Sequence, residues 1–531
     1  MDFGTHAQLV LLALLVAVAA LLAVAPTLRI PYPILLVLGG LALGFVPGVP
    51  TVQLPPELVL IAILPPLLYS SAFFTSLREL RANIRPIGLL SIGLVLTTMV
   101  AVAVVAHTLV DDMSWAAAFV LGAVVSPTDP IAATAIMRRL GVPRRTVSIV
   151  EGESLVNDGT ALVFYRVAVT AAVAGTFSLW DASWRLLWSI VGGVAIGFVV
   201  GFFVAEVRRR IDNPPVEVTI ALLTGYLAFI PANAVEASGV LAVVTAGIYL
   251  GWHTPELTSY QTRLQGGAVW EIFTFVLNAL LFVLVGLQLP RILDALTGFS
   301  ASELMWWGLL VTLTVVVARL VFVPVFTYLP RRFLGVFGGP NNPPPSPGRA
   351  FVVAWAGMRG AVSLAAALAI PLTTDGGSAF PQRDLIVFLT FCVILGTLVG
   401  QGLTLPVVIR VLGIEADHLD EKEHAKARIK AADAALARLE ELTGEDWVGA
   451  DTAERLRGLY GFRRNRFLSR FDENDDGAIE TQSLNYQRLR RELFDAEREA
   501  IVDLRRRGVI DDEVERRLYR ELDLEDARLE V

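Results

Sequence analysis

Apolar stretches of roughly 20 residues, each bounded by charged or Pro/Gly-rich breaks, recur about 13 times along the chain. They begin near residues 8, 32, 55, 86, 114, 147, 185, 216, 238, 268, 303, 350 and 384, the second and ninth being short. Runs of that length match the reach of an α-helix across a bilayer, so the expected fold class is an all-α polytopic membrane protein. The run from residue 9 to 28 follows only Asp2 and His6, lacks a basic lead-in and exceeds the apolar part of a signal peptide. It is expected to be an uncleaved span.

Charge divides the chain at Ile414. Residues 1–414 carry 22 Arg, no Lys and 20 acids, whereas 415–531 carry 22 bases and 31 acids. Two domains are expected: a transmembrane domain over 1–414 and a charged, helical cytoplasmic region over 415–531. The net charge of -7 belongs to the tail, so it signals no nucleic-acid partner. One cysteine (Cys392) and five scattered histidines leave no disulfide framework, no CxxC and no HExxH. A membrane hydrolase would need a nucleophile with its base, or a metal set, and no histidine lies among the central polar residues. No enzyme activity and no resident cofactor are expected.

Arginines fall in alternate loops. Arg29, Arg78/Arg81/Arg85, Arg138/Arg139/Arg144/Arg145, Arg208 to Arg210, Arg263 and Arg331/Arg332/Arg349 make 15 on one side, against Arg185, Arg291 and Arg383 on the other. The positive-inside rule makes the 15-Arg side cytoplasmic, with the N-terminus outside and the tail in the cytoplasm of a cell-membrane protein.

Two spans are interrupted mid-membrane, the fifth by Ser126-Pro127-Thr128-Asp129-Pro130 and the twelfth by Gly357-Met358-Arg359-Gly360. An opened backbone at that depth must line a cavity or be buried in protein. With the seventh span as a linker, spans 1–6 and 8–13 are equivalent halves and each break falls at position five. That layout points to two inverted repeats whose broken helices cross at the midplane, with the site there. A channel fits less well, since pores show rings of like residues or filter repeats.

The sixth span holds Glu153, Ser154, Asn157 and Asp158 in an otherwise apolar helix. At 100° per residue, Glu153 and Asn157 share a face, and Ser154 stacks one turn from Asp158. A hydroxyl and a carboxylate so placed form half a shell of hard oxygens for a small cation, so Asp158 is expected to bind Na+ or a proton. Glu153 needs a buried counter-charge, assigned to Arg359 so that Asp158 stays free to exchange ligands. Arg319, in the eleventh span, is a secondary candidate that otherwise anchors helices. Asp129 is expected to cap the helix ends at the fifth-span break, and Thr128 to offer an oxygen to the ion. Glu271, Asn278, Glu236, His107 and Arg166 are left unassigned.

The segments SPTDPIAATAI, EGESLVNDGTALVFY and GMRGAVSLAAALAIP, in this order and about 25 and 200 residues apart, closely resemble the bacterial sodium/proton exchangers of the monovalent cation:proton antiporter family. The resemblance covers roughly residues 8–412. It implies a 13-span inverted-repeat fold, a homodimer in membrane lipid, and an Asn157-Asp158 pair at the transport site. It also implies a Glu153–Arg359 ion pair and ion contacts from Thr128 and Ser154. After Leu64-Pro65-Pro66-Leu67-Leu68-Tyr69, many relatives carry an acid where this chain has Ser70, a hydroxyl that can still coordinate. With Asp158 the one free carboxylate, electroneutral one-for-one Na+/H+ exchange by alternating access is expected, in the service of pH and sodium homeostasis. K+/H+ exchange, Li+ as the cation, or a transporter-like cation/pH sensor are the alternatives.

The tail from about Glu415 combines Arg/Glu pairs at i,i+4 with Leu and Ala stripes and reads as a regulatory or dimer-supporting helical region. Asp472, Asn474, Asp476 and Gly477 match an EF-hand loop, but position 12 is Ser483 where a bidentate Glu belongs. An acidic turn between helices is favoured there over a Ca2+ site.

Overall fold

The computed structural model describes residues 16, 18–21, 23, 31–46, 58–174, 179–296, 298–334, 345–414, 419–469, 478–527 and 529. Most of the expected first span, and the acidic stretch 472–477, lie outside them. Among the described residues the elements are helical apart from one isolated bridge, Thr373 to Ala379. Two compact units divide at Ala416/Asp417.

In the first unit, α1 is Tyr32–Gly44, and a π-helical turn at Leu58–Ile63 leads into α2, Leu64–Phe74. The short α3 (Leu77–Ala82) precedes α4 (Ile84–Leu109), α5 (Trp115–Val125), α6 (Ile131–Arg139) and α7 (Arg144–Ala174). Then follow α8 (Leu179–Arg208), α9 (Pro214–Ala234), α10 (Gly239–Leu257), α11 (Tyr260–Leu287), α12 (Leu289–Asp294) and α13 (Ala301–Leu334). The series closes with α14 (Pro347–Trp355), α15 (Ala361–Leu368) and α16 (Arg383–Val411). Six helices are long and apolar enough to cross a bilayer, and shorter apolar helices accompany them: the chain is a polytopic membrane protein.

Both interruptions are present. α5 and α6, of 11 and 9 residues, are the two halves of the fifth span, and α14 and α15, of 9 and 8, those of the twelfth. Pro127 and Pro130 have no N–H to continue the ladder. The breaks touch directly, for the Asp129 N–H donates to Met358 O at 2.8 Å.

The repeat is visible in packing. α1 lies on α11 and α2 on α10, and under the equivalence of spans 1–6 with 8–13 these are one contact made twice. Glycines make both close: Gly40 and Gly286 lie on the backbone of Val283 and Val37, Gly247 and Gly251 on that of Tyr69 and Phe73. A Cβ at any of the four would meet opposing backbone within 3.0 Å. Small residues at such crossings are how helices approach where lipid tails supply no hydrophobic drive. Two apolar clusters result. One gathers α1, α4 to α7 and α11 to α16; the other gathers α2 and α8 to α10, with Leu155 of α7 and Trp270 of α11.

The second unit contains α17 (Leu419–Leu442), α18 (Ala450–Ser469), α19 (Ala478–Arg506) and α20 (Asp512–Ala527). Arg457–Glu440 and Arg464–Asp433 join α17 to α18, and Arg490–Glu525 and Arg498–Asp523 join α19 to α20 around Phe494, Ile501 and Leu522. Ser483 is buried within α19.

Candidate ion site at the helix crossing

Four half-helices end at the crossing, so two negative and two positive helix termini meet inside the membrane. Each is answered by a charged side chain. At the C-terminal end of α5, the carbonyl of Val125 accepts from Arg359 Nε at 3.0 Å. At that of α14, the carbonyls of Val353 and Ala354 accept from Arg319 Nε at 3.2 and 3.1 Å, and Val353 also from Nη2 at 2.9 Å. At the N-terminal end of α6, Asp129 Oδ1 accepts from the Ile131 N–H at 2.9 Å. The same carboxylate lies against Gly360, where α15 begins.

The counter-charge of Glu153 is Arg319, not Arg359. Arg319 grips the carboxylate with both ends of its fork, Nη2 to Oε2 at 2.7 Å and Nη1 to Oε1, and both residues are fully buried. The Arg359 guanidinium bonds backbone carbonyls, Nε to Val125 O and Nη1 to Gly357 O, and its main-chain N–H donates to the Thr397 hydroxyl, Oγ1, at 3.0 Å. Its position inside a break supplies the carbonyls that occupy it. Arg319, on an unbroken helix, has a side chain long enough to reach both α7 and the end of α14. The Glu153–Arg359 pairing expected from sequence is therefore replaced by Glu153–Arg319.

Thr128 joins the break to α7. Its carbonyl accepts from Ser154 Oγ at 2.7 Å, and its hydroxyl accepts from Asn157 Nδ2 at 2.8 Å while donating to Glu153 Oε1 at 3.4 Å. Asn157 thus turns toward Thr128 and is absent from the lining of the cavity beside it. It holds the oxygen-bearing residue in place rather than facing the cavity.

That cavity, of about 250 Å3, opens at the seam of the two apolar clusters. Asp158, Asp129, Ser154, Thr128 and Ser70 all line it. Ser70 Oγ donates to Leu67 O at 2.9 Å, leaving its lone pairs available. Asp158 is buried, and among the described residues its carboxylate has no hydrogen-bond or ion-pair partner. Of the three carboxylates at the crossing, it alone has neither a hydrogen bond nor an ion pair among the described residues.

Asn278, Thr274, Ser71 and Ser363 also line the cavity. Asn278 Oδ1 is buried without a partner, and its place in the last third of a long apolar run was the signal for it. Away from the crossing, Glu217 is buried with Arg208 at 3.7 Å and accepts from Thr262 Oγ1 at 3.0 Å. Nothing in its span distinguished it from a loop-edge acid.

Gly360→Ala is expected to abolish whatever the site does. A Cβ there would clash with Asp129 Oδ2 and stand 2.6 Å from Asp129 Cβ and Cγ, forcing the capping carboxylate from two helix ends. Gly267→Ala, where a Cβ meets nothing within 4 Å, is the control. Melting in detergent should fall for the first, by about 1–3 kcal/mol of stability, and not for the second.

Comparison with known proteins gives one consistent result. Residues 11–411 match the family described as sodium/hydrogen exchanger, transmembrane. An uncharacterized Na+/H+ exchanger of Mycobacterium tuberculosis is 38% identical over 98% of this chain and 96% of its own length. The Na+/H+ antiporter ApNhaP of Aphanothece halophytica is 30% identical over 94% and 93%. A sodium, potassium, lithium and rubidium/H+ antiporter of Bacillus subtilis is 32% identical over 71% and 58%. Among solved structures, the sodium proton antiporter MjNhaP1 of Methanocaldococcus jannaschii superposes with a TM-score of 0.59 at 21% identity, over 78% of this chain and all of that one. At that identity the likeness concerns the fold.

Proposed function

The chain belongs to the sodium/hydrogen exchanger family, and on that premise we propose that it exchanges Na+ for H+ at Asp158, one for one, by alternating access. The observation that carries the reading is the buried Asp158 carboxylate, which lines the cavity with no hydrogen-bond or ion-pair partner among the described residues. Three carboxylates (Asp129, Glu153, Asp158) and two guanidiniums (Arg319, Arg359) meet at the crossing. Their sum is one negative charge, which one proton or one alkali cation cancels, and a buried charge must be cancelled. Thr128, Ser154 and Ser70 supply hard oxygens around the cation. The seam between two separately packed clusters supplies the surface along which one can move against the other.

The net charge carried across is then zero in both half-cycles, so exchange is electroneutral. The test uses proteoliposomes under a potassium-valinomycin clamp, recording proton flux against an imposed Na+ gradient at several potentials. Rates and final gradients are expected not to shift with voltage. A systematic shift, at about 2.3 kcal/mol per charge per 100 mV, means that a second acid titrates. Asp129 is the acid in question, because Arg319 holds Glu153 on both oxygens. The relative from Bacillus subtilis is named for four alkali cations, so K+ and Li+ gradients belong in the same series.

The protein works as a homodimer in the cell membrane, with the N-terminus outside, the arginine-rich loops and tail in the cytoplasm, and the tail supporting or regulating the dimer. The unequal arginine distribution supports this orientation. Protease protection of the tail in right-side-out vesicles tests it.

A further inference from the structure

One wall of the cavity that holds Asp158 comes from α11, which contributes Thr274, Asn278 and Leu281. Their spacings of four and three residues put them on one face of the helix. Thr274 Oγ1 donates to Trp270 O at 2.7 Å, which leaves its lone pairs free. Asn278 is 8% exposed, and neither atom of its carboxamide has a hydrogen-bond partner among the described residues. Asn157 differs on both counts, since its amide donates to Thr128 Oγ1 at 2.8 Å and it does not line the cavity. A buried amide without partners is uncommon, because it gives up water and gains no bond in return.

Trp270 belongs to one apolar cluster and Ala279 to the other, so Thr274 and Asn278 sit where α11 crosses the seam. The hard oxygens already described come from α2 (Ser70), the fifth-span break (Thr128) and α7 (Ser154 and Asp158). None of them comes from α11. A cation sheds its water only where oxygens replace it, and the α11 wall carries an amide oxygen that no protein group uses. Half a turn about χ2 exchanges the oxygen and nitrogen of an amide. At Asn278 that turn breaks no hydrogen bond, so the oxygen can swing to whichever side a cation occupies.

We propose that Asn278 is a further ligand of the transported cation, supplying its carboxamide oxygen from the α11 wall, and that it helps to set which alkali cation the site prefers. The inference rests on the reading of Asp158 as the exchanging carboxylate. An amide oxygen is a neutral, hard donor, so it enlarges the shell without altering the charge exchanged. A small cation closes its shell with fewer oxygens than a large one. Loss of Asn278 should therefore weigh least on Li+, more on Na+ and most on K+. An amide with a purely structural role, bonded through an ordered water, would impose no such order.

The test uses proteoliposomes of the full chain and reads initial rates of proton flux against Li+, Na+ and K+ gradients. Asn278→Leu nearly keeps the volume, removes the oxygen and leaves no room for a water in its place. It should raise the apparent KM for Na+ about tenfold, the loss of one bond to a charged group, with the maximal rate within about twofold of wild type. The KM for Li+ should rise less and that for K+ more. In detergent, the rise of melting temperature with Na+ should move to about tenfold higher Na+. Asn278→Ala lets a water stand in for the oxygen, so it should give the same order with a smaller shift, about threefold for Na+. It decides the matter if Asn278→Leu does not fold. Unaltered KM values overturn the inference, as does an equal rise for all three cations or a fall in maximal rate alone. Na+ stabilisation that survives Asp158→Asn is a separate failure, which removes the Asp158 reading itself whatever the Asn278 variants show.

Discussion

Asp158→Asn is expected to reduce cation-driven proton exchange to the background of empty vesicles while the protein stays folded. The carboxylate is buried, unpartnered and set in the cavity with Thr128, Ser154 and Ser70. An amide keeps the shape and the polarity but can hold neither a proton nor a cation in exchange for the other. Because a buried charge without a partner is costly, its removal should leave the melting temperature equal or higher. Wild type should melt at a higher temperature as Na+ is added, since a ligand of the folded state stabilises by mass action, and the mutant should lose that dependence. In wild type, protons and Na+ compete at one carboxylate. Each pH unit below its midpoint should raise the apparent KM for Na+ about tenfold without changing the maximal rate. Residual exchange in Asp158→Asn, or Na+ stabilisation that survives it, would place the transport carboxylate elsewhere, with Asp129 next in line.

Arg319→Ala should be among the most destabilising single changes in the first unit. It strands Glu153 as a bare buried carboxylate, at about 3–5 kcal/mol, and frees the carbonyls of Val353 and Ala354 at the end of α14. Arg319→Ala with Glu153→Ala should cost clearly less than the sum of the two, by a coupling of up to about 3 kcal/mol. The equivalent cycle of Arg359 with Glu153 should show a smaller coupling. Arg359→Ala is destabilising through Val125 O and Gly357 O, which Glu153→Ala does not restore. Unfolding in detergent of the three single and two double mutants measures both cycles. A larger coupling for Arg359 would return it to Glu153.

Much of the fold was legible because hydrocarbon imposes rules that a sequence cannot conceal. Apolar run length marks the spans, and a Pro- or Gly-interrupted run at mid-membrane marks a broken helix, as Ser126 to Pro130 and Gly357 to Gly360 do. Helical periodicity was equally readable: Ser154 and Asp158 do share the cavity wall. It also put Glu153 and Asn157 on one face, and the structure finds both bonded to Thr128 Oγ1. What periodicity does not contain is the direction from which the next helix arrives. It could not tell that the Glu153 and Asn157 face meets the fifth-span break while the Asp158 face meets the cavity.

Sequence by itself determined the solvent of each part of the chain, the two breaks, and the polar residues that have to be answered by a partner, a cation or a proton. Each of these follows from the cost of a polar group in lipid, which depends on a segment and its own neighbours along the chain. Which partner answers which charge was decided only in three dimensions. Arg319 and Arg359 are equally buried, and nothing local separates them. Arg359 is consumed by the carbonyls that its own break and α5 expose, so Glu153 falls to Arg319, 166 residues away along the chain. Such a pairing depends on the angle and register at which packed helices cross, and those are set by side-chain volumes and glycine contacts from many segments at once.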